Sequence, residues 1–140
     1  RLGFLLAPTA LCAQLAAAMQ PWLLSHPARW AGAVALTDKT WQVQQSSRLA
    51  QVAGQWLECL RAAVPRLEFT GTSLFVTGRG DAAYCEALYN ALARRAVLLR
   101  VLEPINGQRL LSFGLPLPEQ REHVYRLLRE AVEECACDLR

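Results

Sequence analysis

The sequence predicts an α+β protein, and three observations carry that prediction. Up to Pro65 the apolar residues recur at three- and four-residue spacing, which is the helical period. After Pro65 short apolar runs appear, bounded by glycine, threonine and asparagine turn signals, as strands are. These runs alternate with two further helical stretches in the order β-β-α-β-β-α, which builds an antiparallel sheet with helices on one face.

Arg1 to Leu6 reads as a short apolar strand. Pro8 stands where the first turn of a helix tolerates proline, and the alanine-rich stretch Thr9 to Gln20 continues that helix until Pro21-Trp22 breaks it. Ser25 is a good N-cap, with Pro27 in the first turn of a second helix through about Leu36. From about Asp38 to Val64 one long helix is predicted, with Trp41, Gln45, Leu49, Val52, Trp56, Leu60 and Ala63 on one face. A helix of that length bridges two bodies. Pro65 ends it.

Leu67 to Phe69 and Leu74 to Thr77 are the next strands, and Gly78-Arg79-Gly80 reads as a turn. Asp81 caps a helix through about Arg95 with Tyr84, Cys85, Leu88 and Leu92 as its core stripe. Val97 to Leu102 and Arg109 to Phe113 form a second strand pair around an Asn106-Gly107 turn. The last helix carries Val124, Leu127, Leu128, Ala131, Val132 and Cys135 on one stripe. At Ala96, after the Asp81 helix, the left-handed position usually held by glycine falls on alanine, so a modest strain is expected.

The chain has 140 residues, 53% hydrophobic and 19% charged, which places it among globular proteins with a core rather than disordered ones. Its net charge is +3, with 14 arginines and the single lysine Lys39. The basic residues are interspersed with acids and form no stripe with aromatics, which argues against nucleic-acid binding. Apolar stretches are interrupted well before the roughly 18 residues a membrane span needs, and no signal peptide is read at the start. The five cysteines are odd in number and irregular in spacing, and Cys135-Ala-Cys137 has no second ligand pair to make a metal site, so reduced thiols and a cytoplasmic location are expected. Arg79-Gly80-Asp81 spells an adhesion tripeptide, but its aspartate is better used as a helix cap. His26 and His123 stand alone and read as surface residues.

Three local patterns sharpen this order. Arg1-Leu-Gly3 is followed by Phe-Leu-Leu-Ala-Pro8; Gly71-Thr-Ser-Leu-Phe75 opens the second half; and Leu111-Ser-Phe-Gly-Leu-Pro116 precedes the last helix. Ala91-Leu-Ala-Arg-Arg-Ala-Val-Leu-Leu-Arg100 joins helix to strand. On these residues the chain resembles the C-terminal part of a fold-type I pyridoxal-phosphate enzyme of the class I/II aminotransferase family. Within it the Gly-Thr-x-Leu-Phe and Phe-Gly-Leu-Pro patterns are most similar to the decarboxylases of cobalamin biosynthesis.

The resemblance implies a division into residues 1–37, the tail of a large cofactor domain; residues 38–64, the linking helix; and residues 65–140, a small C-terminal α+β domain. It implies pyridoxal 5'-phosphate as cofactor, with Arg1 holding the cofactor phosphate by a bidentate contact. The Schiff-base lysine and the aspartate facing the pyridine nitrogen would precede Arg1, so no catalytic residue is assigned in this chain, and Lys39 cannot replace the lysine by position. The isolated chain is therefore expected to be inactive. The implied reaction is decarboxylation of threonine phosphate to aminopropanol phosphate, in a homodimeric parent with a small amino-acid phosphate as substrate. A histidinol-phosphate or other aminotransferase, and a non-catalytic interaction domain, are the alternatives. The family's carboxylate-gripping arginine corresponds to Leu110, or to Ser112 in the cobalamin branch, and neither is arginine. Arg109 is the neighbouring candidate for substrate binding. Strand parity puts it on the face opposite Leu110 unless a bulge re-aims it, and a surface arginine is the alternative.

Overall fold

A computed structural model describes the backbone of residues 2–19, 24–105 and 108–138, and their side chains except at 103–105 and 137–138. Arg1, the Pro21-Trp22 break, the Asn106-Gly107 turn and the side chain of Cys137 lie outside the described residues. The chain divides into two compact units, residues 1–45 and 46–140, and the boundary falls within the long helix.

The first unit holds α1 (Thr9–Ala18), α2 (His26–Thr37) and the opening turns of α3 (Lys39–Ala63). Residues 2–8 form no strand, which corrects the sequence expectation. The described residues offer that segment no ladder partner, and an apolar run without one has no means of satisfying its backbone as a strand. Ser25 caps α2 by accepting the Ala28 N–H at 3.3 Å. Asp38 caps α3 through the Trp41 N–H at 2.9 Å, and the Gln42 side chain donates to the Ala35 carbonyl at 2.7 Å, tying the α2 end to the α3 start.

The second unit carries the end of α3 and then β1 (Glu68–Gly71), β2 (Phe75–Asp81), α4 (Ala82–Arg94), β3 (Arg100–Ile105), β4 (Gln108–Gly114), a short 3-10 turn (Pro118–Gln120) and α5 (Arg121–Asp138). The four strands form one antiparallel sheet in the order β1-β2-β4-β3. Trp56, Leu60 and Ala63 of α3, Tyr84, Leu88 and Leu92 of α4, and Leu128, Ala131 and Cys135 of α5 are buried together with Phe69, Val76, Leu111 and Phe113 of the sheet. The helices thus cover one face of the sheet, as the amphipathic stripes of α4 and α5 require.

Gly78-Arg79-Gly80 is not the turn the sequence predicts. β2 runs through it to Asp81 in register with β4, from Phe75↔Gly114 to Asp81↔Gln108. The glycines serve packing: a Cβ on Gly78 would stand 2.9 Å from Phe69 Cε1 and 3.0 Å from Leu67 Cδ1, and one on Gly80 would stand 2.4 Å from Leu67 Cδ2. Bare backbone lets the Leu67, Phe69 and Phe113 side chains close over the strand. Asp81 ends β2 and caps α4 in the same residue, accepting the Tyr84 N–H at 3.0 Å. At the other end of α4, Ala96 has φ 59°, the Ala96 N–H bonds to the Ala93 carbonyl at 3.0 Å, and Val97 N–H bonds to the Leu92 carbonyl at 2.9 Å. This is a Schellman cap with alanine where glycine is usual.

Candidate functional site

Side-chain alternation gives the sheet two unlike faces. On β4, Leu111 and Phe113 are buried under the helices, so Gln108, Leu110 and Ser112 point to the other side. The register then sets out the open face in rows that run across the strands. One row is Glu68, Arg79, Leu110 and Leu102; the next is Thr70, Thr77, Ser112 and Arg100. Neighbouring strands stand about 4.8 Å apart and successive rows about 7 Å apart, so the two rows form one patch.

The patch is concave. Glu68 and Thr70 of β1, Thr77 and Arg79 of β2, Leu102 of β3, and Gln108 and Leu110 of β4 line a hollow of about 510 Å³. Within it Arg79 is paired with Glu68 through the terminal guanidinium nitrogen, and both side chains remain more than half exposed. Among the described residues, the hydroxyls of Thr70 and Thr77 and the amide of Gln108 make no side-chain hydrogen bond to protein, so they are open to a ligand or to water. The hollow is floored by two leucines, and its polar groups are the Arg79–Glu68 pair, two threonine hydroxyls and an amide, so the guanidinium and hydroxyls can donate to an oxyanion where the Glu68 carboxylate gives way.

The sequence-derived candidates fall elsewhere. Arg1 lies outside the described residues. Arg109 pairs with Gly80 in the register and shares the parity of Leu111, so it lies on the helix-covered face. No bulge interrupts β4 against β2 to turn it over; the shift in the sheet lies in β3, between Leu102 and Ile105. Its guanidinium is paired with Glu86 of α4 at 3.1 Å, and its carbonyl accepts from the Cys85 thiol at 3.5 Å. Burial pushes that thiol upward from its ordinary range, reinforced by the nearby Asp81 carboxylate. His123 is an α5 surface residue whose Nδ1 stands 3.0 Å from an Arg126 nitrogen, and His26 is exposed at the start of α2.

Sequence reasoning missed Arg79, having placed it in a turn. A signal was present: Phe75, Thr77 and Arg79 alternate with Val76, Gly78 and Gly80, and continuing that period-two pattern past Gly78 puts Thr77 and Arg79 on one face.

The described residues do not by themselves fit pyridoxal phosphate. That cofactor needs an amine placed to hold it, and Lys39 is exposed in the first turn of α3, where its Nζ donates to Gln42 Oε1 at 3.4 Å. No group of three or more potential metal ligands is found among the described residues. Nor, among them, is any helix long and apolar enough to cross a membrane.

The fold and site therefore define an α+β layer whose four-stranded antiparallel sheet is covered by helices on one face and open on the other. No family model matches the chain. Over 119 residues, 85% of its length, the chain is 38% identical to a threonine-phosphate decarboxylase of Pseudomonas aeruginosa, and it spans 34% of that relative's length. The chain is thus related to a part of such an enzyme.

Proposed function

We propose that this chain is the C-terminal portion of a pyridoxal-phosphate-dependent decarboxylase of the fold-type I class, acting on threonine phosphate in cobalamin biosynthesis. The observation that carries this reading is the 38% identity to a threonine-phosphate decarboxylase, spread over most of the chain. The predicted order of elements from Pro65 onward, present in the structure apart from the short 3-10 turn, supports it.

In this reading the second unit is the small domain, and its open face is the ligand side. When bound in the parent, the cofactor would supply the electron sink for the pair left on Cα as the bond from Cα to the carboxylate carbon breaks. This chain's residues hold and orient the substrate: Arg79 and Arg100 present positive charge above Leu110 and Ser112, and the Thr70 and Thr77 hydroxyls add neutral donors. Leu102 and Leu110 give the hollow an apolar floor beside the charged groups. Arg1 retains its proposed cofactor-phosphate role in the parent. Arg109 would have to leave Glu86 and cross the sheet to reach the same ligand, so the substrate oxyanion is assigned to the open face instead.

The test is carbon dioxide release from O-phospho-L-threonine by the parent protein with added cofactor. Release supports the decarboxylase reading. Amino-group transfer to a keto acid without gas release favours the aminotransferase alternative. The 140-residue chain alone is expected to show neither activity nor stable absorbance from bound cofactor.

A non-catalytic interaction role has one observation in its favour. In the first unit Trp30, Val34 and Trp41 line an apolar hollow while remaining substantially exposed. Neither carbon dioxide release nor amino-group transfer by the parent, together with loss of a copurifying partner on Trp30→Ser and Trp41→Ser, would favour that role.

A further inference from the structure

We propose that Arg79 is the residue that binds the oxyanion of the ligand on the open face, and that Glu68 occupies its guanidinium until a phosphate or carboxylate displaces it. The proposal rests on the reading of the open face as the ligand side, and it adds the residue and the exchange.

Arg79 stands on an inner strand between two unlike neighbours. On the β1 side it faces Glu68 and on the β4 side it faces Leu110, with Leu102 beyond. Glu68 belongs to an edge strand, and its side chain is 75% exposed. Releasing that carboxylate to water costs little, because exposed ion pairs are weak. The leucine side is different: it carries no carboxylate, so an oxyanion laid over Leu110 meets the guanidinium beside apolar neighbours and without a competing charge. A guanidinium has five N–H donors in a planar fork, and Glu68 uses the terminal NH2 nitrogen. Once Glu68 releases that nitrogen, the whole fork matches the paired oxygens of a phosphate or carboxylate. Thr70 and Thr77, one row along, have hydroxyls with no protein partner among the described residues.

The test titrates the full chain with inorganic phosphate and, separately, with L-threonine at low salt. It follows the Arg79 side-chain Nε–H resonance by NMR and uses the Val76 and Leu111 methyl signals to report that the fold is intact. A saturable Arg79 shift with phosphate alone identifies the phosphate oxyanion. A shift with threonine alone identifies the carboxylate, and either result supports the proposal. Arg79→Gln is expected to weaken the responding ligand about tenfold or more, the scale of one charge-assisted pair. Arg79→Lys should lie between, because lysine keeps the charge without the fork. Glu68→Gln should tighten binding by removing the competitor. Silence of Arg79 toward both probes overturns the proposal, as does an affinity unchanged in Arg79→Gln, or an Arg109→Gln variant that loses binding while Arg79→Gln keeps it. No turnover enters the measurement. A parent that fails to release carbon dioxide would sink the decarboxylase reading and leave this binding result standing, and the converse also holds.

Discussion

Arg79 stands directly across the β2–β4 pairing from Leu110, one of the two positions, with Ser112, where the sequence resemblance calls for an arginine and finds none. On its other side it is directly opposite Glu68. The three residues form one row on the helix-free face, and the row explains how an arginine can be both paired and accessible.

If the Arg79–Glu68 pair serves ligand exchange, it should contribute little to folding. Both side chains are more than half exposed, and exposed pairs are worth about 1 kcal/mol or less. Glu68→Gln is therefore expected to shift the free energy of unfolding by under about 1 kcal/mol in urea titrations. A loss of several kcal/mol would make the pair structural and argue against its release.

Ala96 is a second place where local chemistry departs from the usual residue. Its φ of 59° lies in the left-handed region, and the two hydrogen bonds of the cap hold it there. A non-glycine residue in that conformation costs roughly 1–2 kcal/mol, and glycine returns part of the gain as chain entropy in the unfolded state. Ala96→Gly is expected to stabilise the second unit by about 1 kcal/mol, read as a higher urea midpoint at unchanged slope.

The helices were legible because their signals are local. Ser25 and Asp81 cap as read, Pro65 follows the end of α3, and Tyr84, Cys85, Leu88 and Leu92 bury as their spacing requires. The stretch from Gly78 to Gly80 was misread because glycine marks turns in isolation, whereas here it makes room for Leu67 and Phe69 side chains that arrive from another strand. That reason is tertiary, and no window of sequence contains it. The same holds for the site. Parity placed Arg109 behind Leu110 as read, yet recognising Arg79 needed the strand order β1-β2-β4-β3, which sets Glu68 and Leu110 on its two sides. The strand expected over the first six residues failed for the complementary reason: its composition was right, and the described residues supply no partner.

Glu134 of α5 accepts from Arg95 at 2.8 Å and also from Arg94, so the end of α4 is clamped to the last helix. The Arg95 contact first, and the Arg94 contact second, hold the Glu134 carboxyl below its ordinary range. A carboxyl depressed in the folded state stabilises above its unfolded pKa of about 4.3, and that contribution is lost as pH falls through the folded value. Stability should therefore decline as pH drops below about 4. Glu134→Gln should flatten that part of the profile and leave the chain less stable near neutrality. Superimposable acid profiles for the two proteins would show that the clamp contributes nothing.

Tyr84 sets the opposite limit. Its side chain is buried in the core, its hydroxyl has no hydrogen-bond partner among the described residues, and the Arg66 guanidinium lies 4.3 Å from the ring centroid. Burial, with a smaller contribution from Cys135 and against the pull of Arg66, pushes the phenol up to about 12. In the unfolded chain the phenol ionises near 10. Below that value the two states hold the proton equally, and above it only the unfolded state gives the proton up. The contribution to stability is thus complete below about pH 10 and drains away as pH rises toward 12. Tyr84→Phe removes this dependence and deletes a buried hydroxyl that has no protein partner, so near neutrality it should leave stability within about 1 kcal/mol of the unaltered chain. The difference should open only under alkaline conditions, where the phenylalanine variant resists urea better at pH 11. The Cys85 thiol, also raised by burial, should leave a shallower alkaline slope in both proteins that begins at lower pH. Equal loss of stability between pH 10 and 12 in the two proteins would mean that the phenol reaches water in the folded state.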